Sequence, residues 1–190
     1  MFENEKFQEI LNVLRHGGVI LYPTDTIWGL GCDATNAEAV DKISTIKERT
    51  PDKGYVLLVD SVEMLKKHVG IVHPRVETLL SYHVRPLTII YDEAFGVASN
   101  VLAPDGSVGI RVTQDPFCRE LIAQFGKPIV STSANRSGAP FPAHFGEISS
   151  DVLEKVDLVV KYKQDVKERG EPSVIARFNR EYEELDFLRE

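Results

Sequence analysis

At 190 residues the chain has room for one well-buried domain, and a composition 43% hydrophobic and 27% charged is that of an ordinary globular protein. Its formal net charge of −7 argues against a surface broadly coated for nucleic acid, while leaving room for a local basic cleft. No apolar run approaches the roughly 20 residues of a membrane span. The start, MFENEKFQEILNVLRHGG, lacks the basic and then apolar form of a signal peptide, so none is expected. Cys32 and Cys118 show no CxxC spacing and form no disulfide framework, so a reduced, cytoplasmic setting is the expectation.

In chain order, Phe7, Ile10, Leu11 and Leu14 fall at helical spacing, and Gly17-Gly18 ends that helix. A strand is predicted over Val19–Tyr22, followed by an overlong polar loop, Pro23–Asp33. Asn36 can cap a helix running to about Arg49, with Val40, Ile43 and Ile46 as its buried stripe. Strands are predicted at Tyr55–Val59, Pro86–Tyr91, Ser107–Val112 and Pro128–Thr132. Between them lie a short helix capped by Ser61, a helix in HPRVETLLSYH, and a helix opened by Asp115-Pro116 and stopped by Gly126. A short helix near Phe145–Ser149 and the strands DLVVK, SVIARF and ELDFL complete the chain, with a polar loop over Lys161–Pro172. Strands alternating with helices predict an α/β fold, and the strand-rich end predicts a mixed sheet in a single domain.

Three polar segments adjoin predicted strands, where α/β sheets place their ligand crevices. The first is Pro23–Asp33. The second is IKERTPDKG, with Lys47, Arg49 and Lys53 near a helix end; its plain structural alternative is cations suiting the helix dipole. Residues two apart share no helical face unless the helix is already ending there. The third is STSANRSGAP, whose Ser, Thr and Asn either cap turns or face an anion such as phosphate. Neither GxxxxGK[ST] nor GxGxxG occurs. The five histidines (His16, His68, His73, His83 and His144) have no ligand spacing, so no metal held by side chains is expected. Cys32 reads as a small buried residue, and Trp28 as a packing residue.

Taken together, YPTDTIWGLGCDA, KER…DKG, RPLT, SVGIRVT, PIVSTSANRSGAPFP and GEPSVI resemble the YrdC-type threonylcarbamoyl-AMP synthases, from about Gly17 to Arg189. The resemblance implies the short, single-domain form: a twisted mixed α/β sheet flanked by helices around a deep central cleft. It implies a nucleotidyltransferase reaction in which L-threonine, bicarbonate and ATP give threonylcarbamoyl-AMP and pyrophosphate, with Mg²⁺ bound mainly through the phosphates. The product would pass to a tRNA threonylcarbamoyl transferase complex, and a weak tRNA contact is left open. By matching positions, Thr24, Thr26, Arg111, Ser131 and Ser173 would bind threonine. Lys47, Arg49, Lys53, Ser107, Ser133, Asn135 and Arg189 would bind the nucleotide, with Lys47 and Arg49 also catalytic. Asp25 receives no role.

The sequence departs from the family pattern at several points. Thr50 follows Arg49, so that Pro51 comes one residue late, and YHVRPLT stands where WPGPLT is usual. KYKQDVKERG replaces a glycine pair, and Ser173-Val174 replaces Ser-Thr. Two other readings compete: an RNA-binding paralogue of the same fold without synthase activity, and a carbamoyl-handling module like that of hydrogenase-maturation proteins.

Overall fold

The computed structural model describes residues 4–49, 53–168, 170–179 and 184–189. Thr50 and Pro51, where the family spacing is broken, lie outside the described residues. The apolar period of the N-terminus folds as helix α1 (Asn4–Arg15), and its Phe7, Ile10, Leu11 and Leu14 are all buried. Gly17, at φ +70°, turns the chain toward strand β1 (Ile20–Tyr22). The following segment, expected as one continuous loop, contains a strand. This is β2 (Gly29–Gly31), antiparallel to β1, with Ile20 opposite Gly31 and Tyr22 opposite Gly29.

The two glycines remove the side-chain alternation by which a strand is recognised in sequence, yet the sheet requires them. A Cβ at Gly31 would lie 2.6 Å from Cε1 of Tyr22 and 3.0 Å from the carbonyl oxygen of Val130. The backbone approaches its neighbours too closely there for any side chain.

Asn36 caps helix α2 (Ala37–Lys47) as expected, its side chain accepting from the Ala39 N–H. The helix ends at Lys47, just short of the expected end near Arg49, because Glu48 adopts the left-handed conformation (φ 51°, ψ 43°). The Arg49 N–H then bonds back to the Ser44 carbonyl. Strand β3 (Val56–Val59), helices α3 (Val62–His68) and α4 (Pro74–Tyr82), and strands β4 (Leu87–Tyr91) and β5 (Val108–Val112) follow close to their expected positions. Helix α5 (Pro116–Phe125) opens on Asp115, which accepts from the Cys118 N–H, and closes at Gly126, at φ +78°. Strand β6 (Ile129–Ser133) comes next. Where one short helix was expected there are two pieces, a 3₁₀ turn at Phe145–Glu147 and helix α6 (Ser150–Leu153). Strands β7 (Leu158–Val159), β8 (Val174–Asn179) and β9 (Glu184–Arg189) end the described chain.

Among the described residues the strands form one nine-stranded sheet in the order β7-β1-β2-β6-β3-β5-β4-β8-β9. The pairs β1–β7, β3–β5 and β4–β8 are parallel and the others antiparallel, so the sheet is mixed, as expected. Leu57, Leu58, Ile89, Ile110, Ile129 and Val130 form its buried centre. Helices α1 and α5 pack together through Phe7 and Phe117, whose rings meet edge to face at 5.9 Å. Register sets up the site: Gly29 lies opposite Ser133, Val56 opposite Ser131, and Leu58 opposite Arg111. No described helix is long and apolar enough to cross a membrane.

Candidate active site

A cavity of about 320 Å³ opens over strands β2, β6, β3 and β5, and the chain around Ser173 together with Arg189 of β9 forms another part of its lining. Eight of the residues expected to bind substrate line it: Thr26, Arg49, Lys53, Arg111, Ser131, Ser133, Ser173 and Arg189. Four of these are cations, and no aspartate or glutamate is among the described lining residues. In a chain of net charge −7 this is a segregated positive site, suited to an anionic ligand. Thr24, Lys47, Ser107 and Asn135 do not line it; each engages the protein instead.

The polar loop after β1 is organised by its two threonines. The Thr24 hydroxyl donates to the Ile27 carbonyl at 2.8 Å and accepts from the Thr26 N–H at 3.1 Å. With that donor committed, the 2.9 Å contact between the two hydroxyls is donated by Thr26. Thr24 therefore shapes the loop and Thr26 faces the cavity. Trp28 is buried against Phe145, with ring centroids 4.9 Å apart, the packing role expected of it. Cys32 and Cys118 are free and buried, and burial pushes both thiols up, which keeps them protonated and unreactive.

Arg111 of β5 is buried, and a buried guanidinium needs a counter-charge. Asp25 supplies it, with Oδ1 3.1 Å from Nη2 and side-chain exposures of only 4% for the arginine and 13% for the aspartate. The contact is close but not aligned as a hydrogen bond, and Nε of Arg111 has no hydrogen-bond partner among the described residues. Oδ2 of Asp25 accepts from the Thr113 hydroxyl at 3.2 Å and from the Gln114 N–H at 3.5 Å. Sequence reasoning left Asp25 without a function. The available signal was an acid in a strand-following loop together with an arginine inside an apolar strand that would need neutralising.

The early end of α2 sends its two cations apart. Lys47 Nζ donates to the carbonyls of Ser133 (2.5 Å) and Asn135 (2.6 Å), and its own carbonyl accepts from the Ser137 N–H. It clasps the loop after β6 from behind the cavity wall. Burial first, and the neighbouring Arg49 second, lower its ammonium to about 8. Arg49 lies 4.3 Å above the Tyr55 ring and donates through Nη2 to the carbonyls of Lys53 and Gly54. Asn135 donates to the carbonyls of Ala139 and Arg136, and its buried Oδ1 has no partner among the described residues. Ser107 is buried beside Asp105, which accepts from both its hydroxyl and its N–H.

Ser173 is buried just before β8, its hydroxyl 2.8 Å from that of Thr88. Arg189 reaches across from β9 and donates to the Ser173 carbonyl through Nε (2.9 Å) and Nη2 (2.7 Å). Burial and the nearby Arg111 both lower the Arg189 guanidinium, a sign of two cations held close together. Among the described residues, no group of three or more His, Cys, Asp or Glu side chains is placed to hold a metal ion.

Residues 12–190 match the family model Sua5_yciO_yrdC, described as "Telomere recombination". The chain belongs to the Sua5/YciO/YrdC family. Its relatives in this family include the threonylcarbamoyl-AMP synthase of Vibrio parahaemolyticus, 33% identical over 174 residues that cover 90% of this chain and 93% of the relative. Escherichia coli YciO shares the fold with a TM-score of 0.84 at 22% identity, over 99% of this chain and 90% of that one. P. abyssi Sua5, solved in complex with L-threonine, has a TM-score of 0.79 at 24% identity. The chain spans 93% of itself but about half (52%) of that Sua5 chain.

Proposed function

We propose that this member of the Sua5/YciO/YrdC family is an L-threonylcarbamoyladenylate synthase, condensing L-threonine, bicarbonate and ATP to threonylcarbamoyl-AMP and pyrophosphate. The observation that carries this reading is the cavity itself, lined by four cations and five serine or threonine residues with no carboxylate among the described residues. Relatives covering most of the chain bear the synthase name at about 30% identity, which supports it.

The chemistry asks for this distribution. The threonine nitrogen bonds to the carbon of bicarbonate, with loss of water, to give a carbamate. A carbamate oxygen then bonds to the α-phosphorus of ATP while the bond to the β-phosphate oxygen breaks, releasing pyrophosphate. Two anions must meet, so cations belong where charge concentrates. Arg111 would pair with the amino-acid carboxylate, a bidentate match for a guanidinium. Thr26, Ser131 and Ser173 would supply hydroxyls around the amino acid. Arg49, Lys53 and Arg189 would face the phosphates, joined by Ser133 at the wall. Lys47 would support that wall by fixing the backbone of Ser133 and Asn135 and adding its charge from behind. Mg²⁺ would enter with the nucleotide and offset phosphate charge; the lining offers no carboxylate cage, which fits an ion held through phosphate oxygens. No covalent enzyme intermediate is needed, and rate would come from holding a labile carbamate against the α-phosphate.

The product is a mixed anhydride, so its consumer is an acyl-transferring enzyme; transfer to tRNA adenosine by a separate transferase complex is part of this proposal. Pyrophosphate release from ATP tests the reading. It should require threonine and bicarbonate together, and release indifferent to threonine would refute the assignment. Arg49→Ala and Lys47→Ala should each lower the rate at least roughly tenfold, since a lost transition-state charge partner typically costs several kcal/mol. An unchanged rate in a folded variant would remove that residue from the site.

A further inference from the structure

The Asp25–Arg111 pair is an expensive feature in an odd place. Removing two charges from water carries a penalty that their mutual attraction often fails to recover, so a buried ion pair is weak evidence for a stability role. This one adjoins a cavity with four cations and no acid among its described lining residues, and Asp25 itself does not line that cavity. Its carboxylate is held from two further sides by Thr113 and Gln114. Gln114 is in turn tied through its side-chain amide to the His83 carbonyl at 2.8 Å. The acid is thus fixed by the segment that leaves β5 and by the chain after α4, independently of the arginine.

Arg111 has five N–H donors in a planar fork. Asp25 occupies the Nη2 end, while Nε is buried with no partner among the described residues. A buried, unpartnered donor on a cavity-lining side chain is a position awaiting an acceptor. Arg189 crowds the same region with a second positive charge. Without Asp25 the two guanidinium groups would repel, and Arg111 would be free to swing toward whichever anion entered.

Resting on the synthase reading, we propose that Asp25 is the positioning residue for Arg111. It anchors one end of the guanidinium so that the remaining donors recognise the α-carboxylate of the amino-acid substrate, and it sets selectivity for that carboxylate without touching it. The aspartate also keeps Arg111 from acting as one more phosphate-binding cation, dividing the cavity into an amino-acid end and a nucleotide end.

The test uses two probes, L-threonine and L-threoninol, the latter identical except that a hydroxymethyl group replaces the carboxylate. Binding of each is measured by calorimetry to the full chain and to Asp25→Asn, with ATP binding as the control. The wild type should bind threonine well over tenfold more tightly than threoninol. In Asp25→Asn that ratio should fall at least roughly fivefold, with ATP affinity within about twofold of wild type, because a neutral amide lacks the charge that holds the guanidinium in place. Asp25→Glu, which keeps the charge, should recover most of the discrimination. A wild type that bound no threonine would overturn the synthase reading itself. A wild type that discriminates, with Asp25→Asn discriminating equally or losing ATP and threonine affinity in parallel, would overturn the positioning role. Should Asp25→Asn fail to fold, Thr113→Val, which removes one bond that holds the carboxylate, is expected to lower the ratio in the same direction; no change there would also overturn it.

Discussion

Lys47 is held by two carbonyl oxygens in a buried position with only 3% exposure, and among the described residues no carboxylate lies within ion-pair distance. Burial and then Arg49 bring its ammonium from 10.5 to about 8. The consequences for stability and for activity have opposite signs. Between about pH 8 and 10.5 the unfolded chain keeps a proton that the folded chain has released, so the Lys47 contribution to stability improves as pH rises through that window. Below it the group is charged in both states and the desolvation penalty applies in full. Activity should move the other way, since a neutral Lys47 adds no charge to the phosphate wall. The expected pH profile of kcat/KM falls above about pH 8, and Lys47→Arg moves that limb upward because a guanidinium does not titrate there. A wild-type profile flat to about pH 10 would contradict the assignment. The identity of these residues was legible in KER and STSAN, but their division of labour was not. Which cation faces the cavity and which braces it depends on Glu48 turning left-handed, and the partnership of Asp25 with Arg111 joins positions far apart in the chain. Neither leaves a mark in local spacing.

Helix α2 and helix α5 show which elements can be read in advance. Each carries its own start signal, Asn36 and Asp115, and both side chains make the capping bonds their positions predict. Gly126 ends α5 as expected. Strand β2 could not be found that way, because GLG has no alternation and its existence depends on β1 and β6 arriving on either side. Its glycines nevertheless carry an element-scale prediction. Gly31→Ala places a methyl group against the Tyr22 ring and the Val130 carbonyl and should destabilise the protein by about 1–3 kcal/mol, read from urea unfolding. Gly126→Ala meets nothing within 4 Å, and only its φ of +78° opposes a side chain, so about 1–2 kcal/mol is expected there. The two substitutions also differ in kind. Gly31→Ala should disturb substrate binding, since β2 carries Gly29 to the cavity beside β6, whereas Gly126→Ala, at the far end of α5, should leave binding unchanged. Equal stability of Gly31→Ala and wild type would show that the sheet can yield where it is drawn closest.

At the scale of the whole molecule, a mixed sheet gathers four cations from α2's end, its following loop, β5 and β9 around one cavity in an acidic chain. The fold class was legible from strands alternating with helices, and eight lining residues were legible because their motifs stand next to those strands, whereas Thr24, Lys47, Ser107 and Asn135 were expected in the site and engage the protein outside the cavity. The charge segregation was not legible, because it depends on where the chain's many acids are absent. The central claim is that this cavity joins threonine, bicarbonate and ATP into one adenylate. Incubation with ¹³C-bicarbonate, L-threonine and ATP, followed by mass spectrometry of the nucleotide products, tests it most directly. The expected product is an adenylate carrying both the label and the threonine, formed in step with pyrophosphate and lost when threonine is omitted. An unlabelled product, or ATP consumed to ADP and phosphate instead, would contradict it.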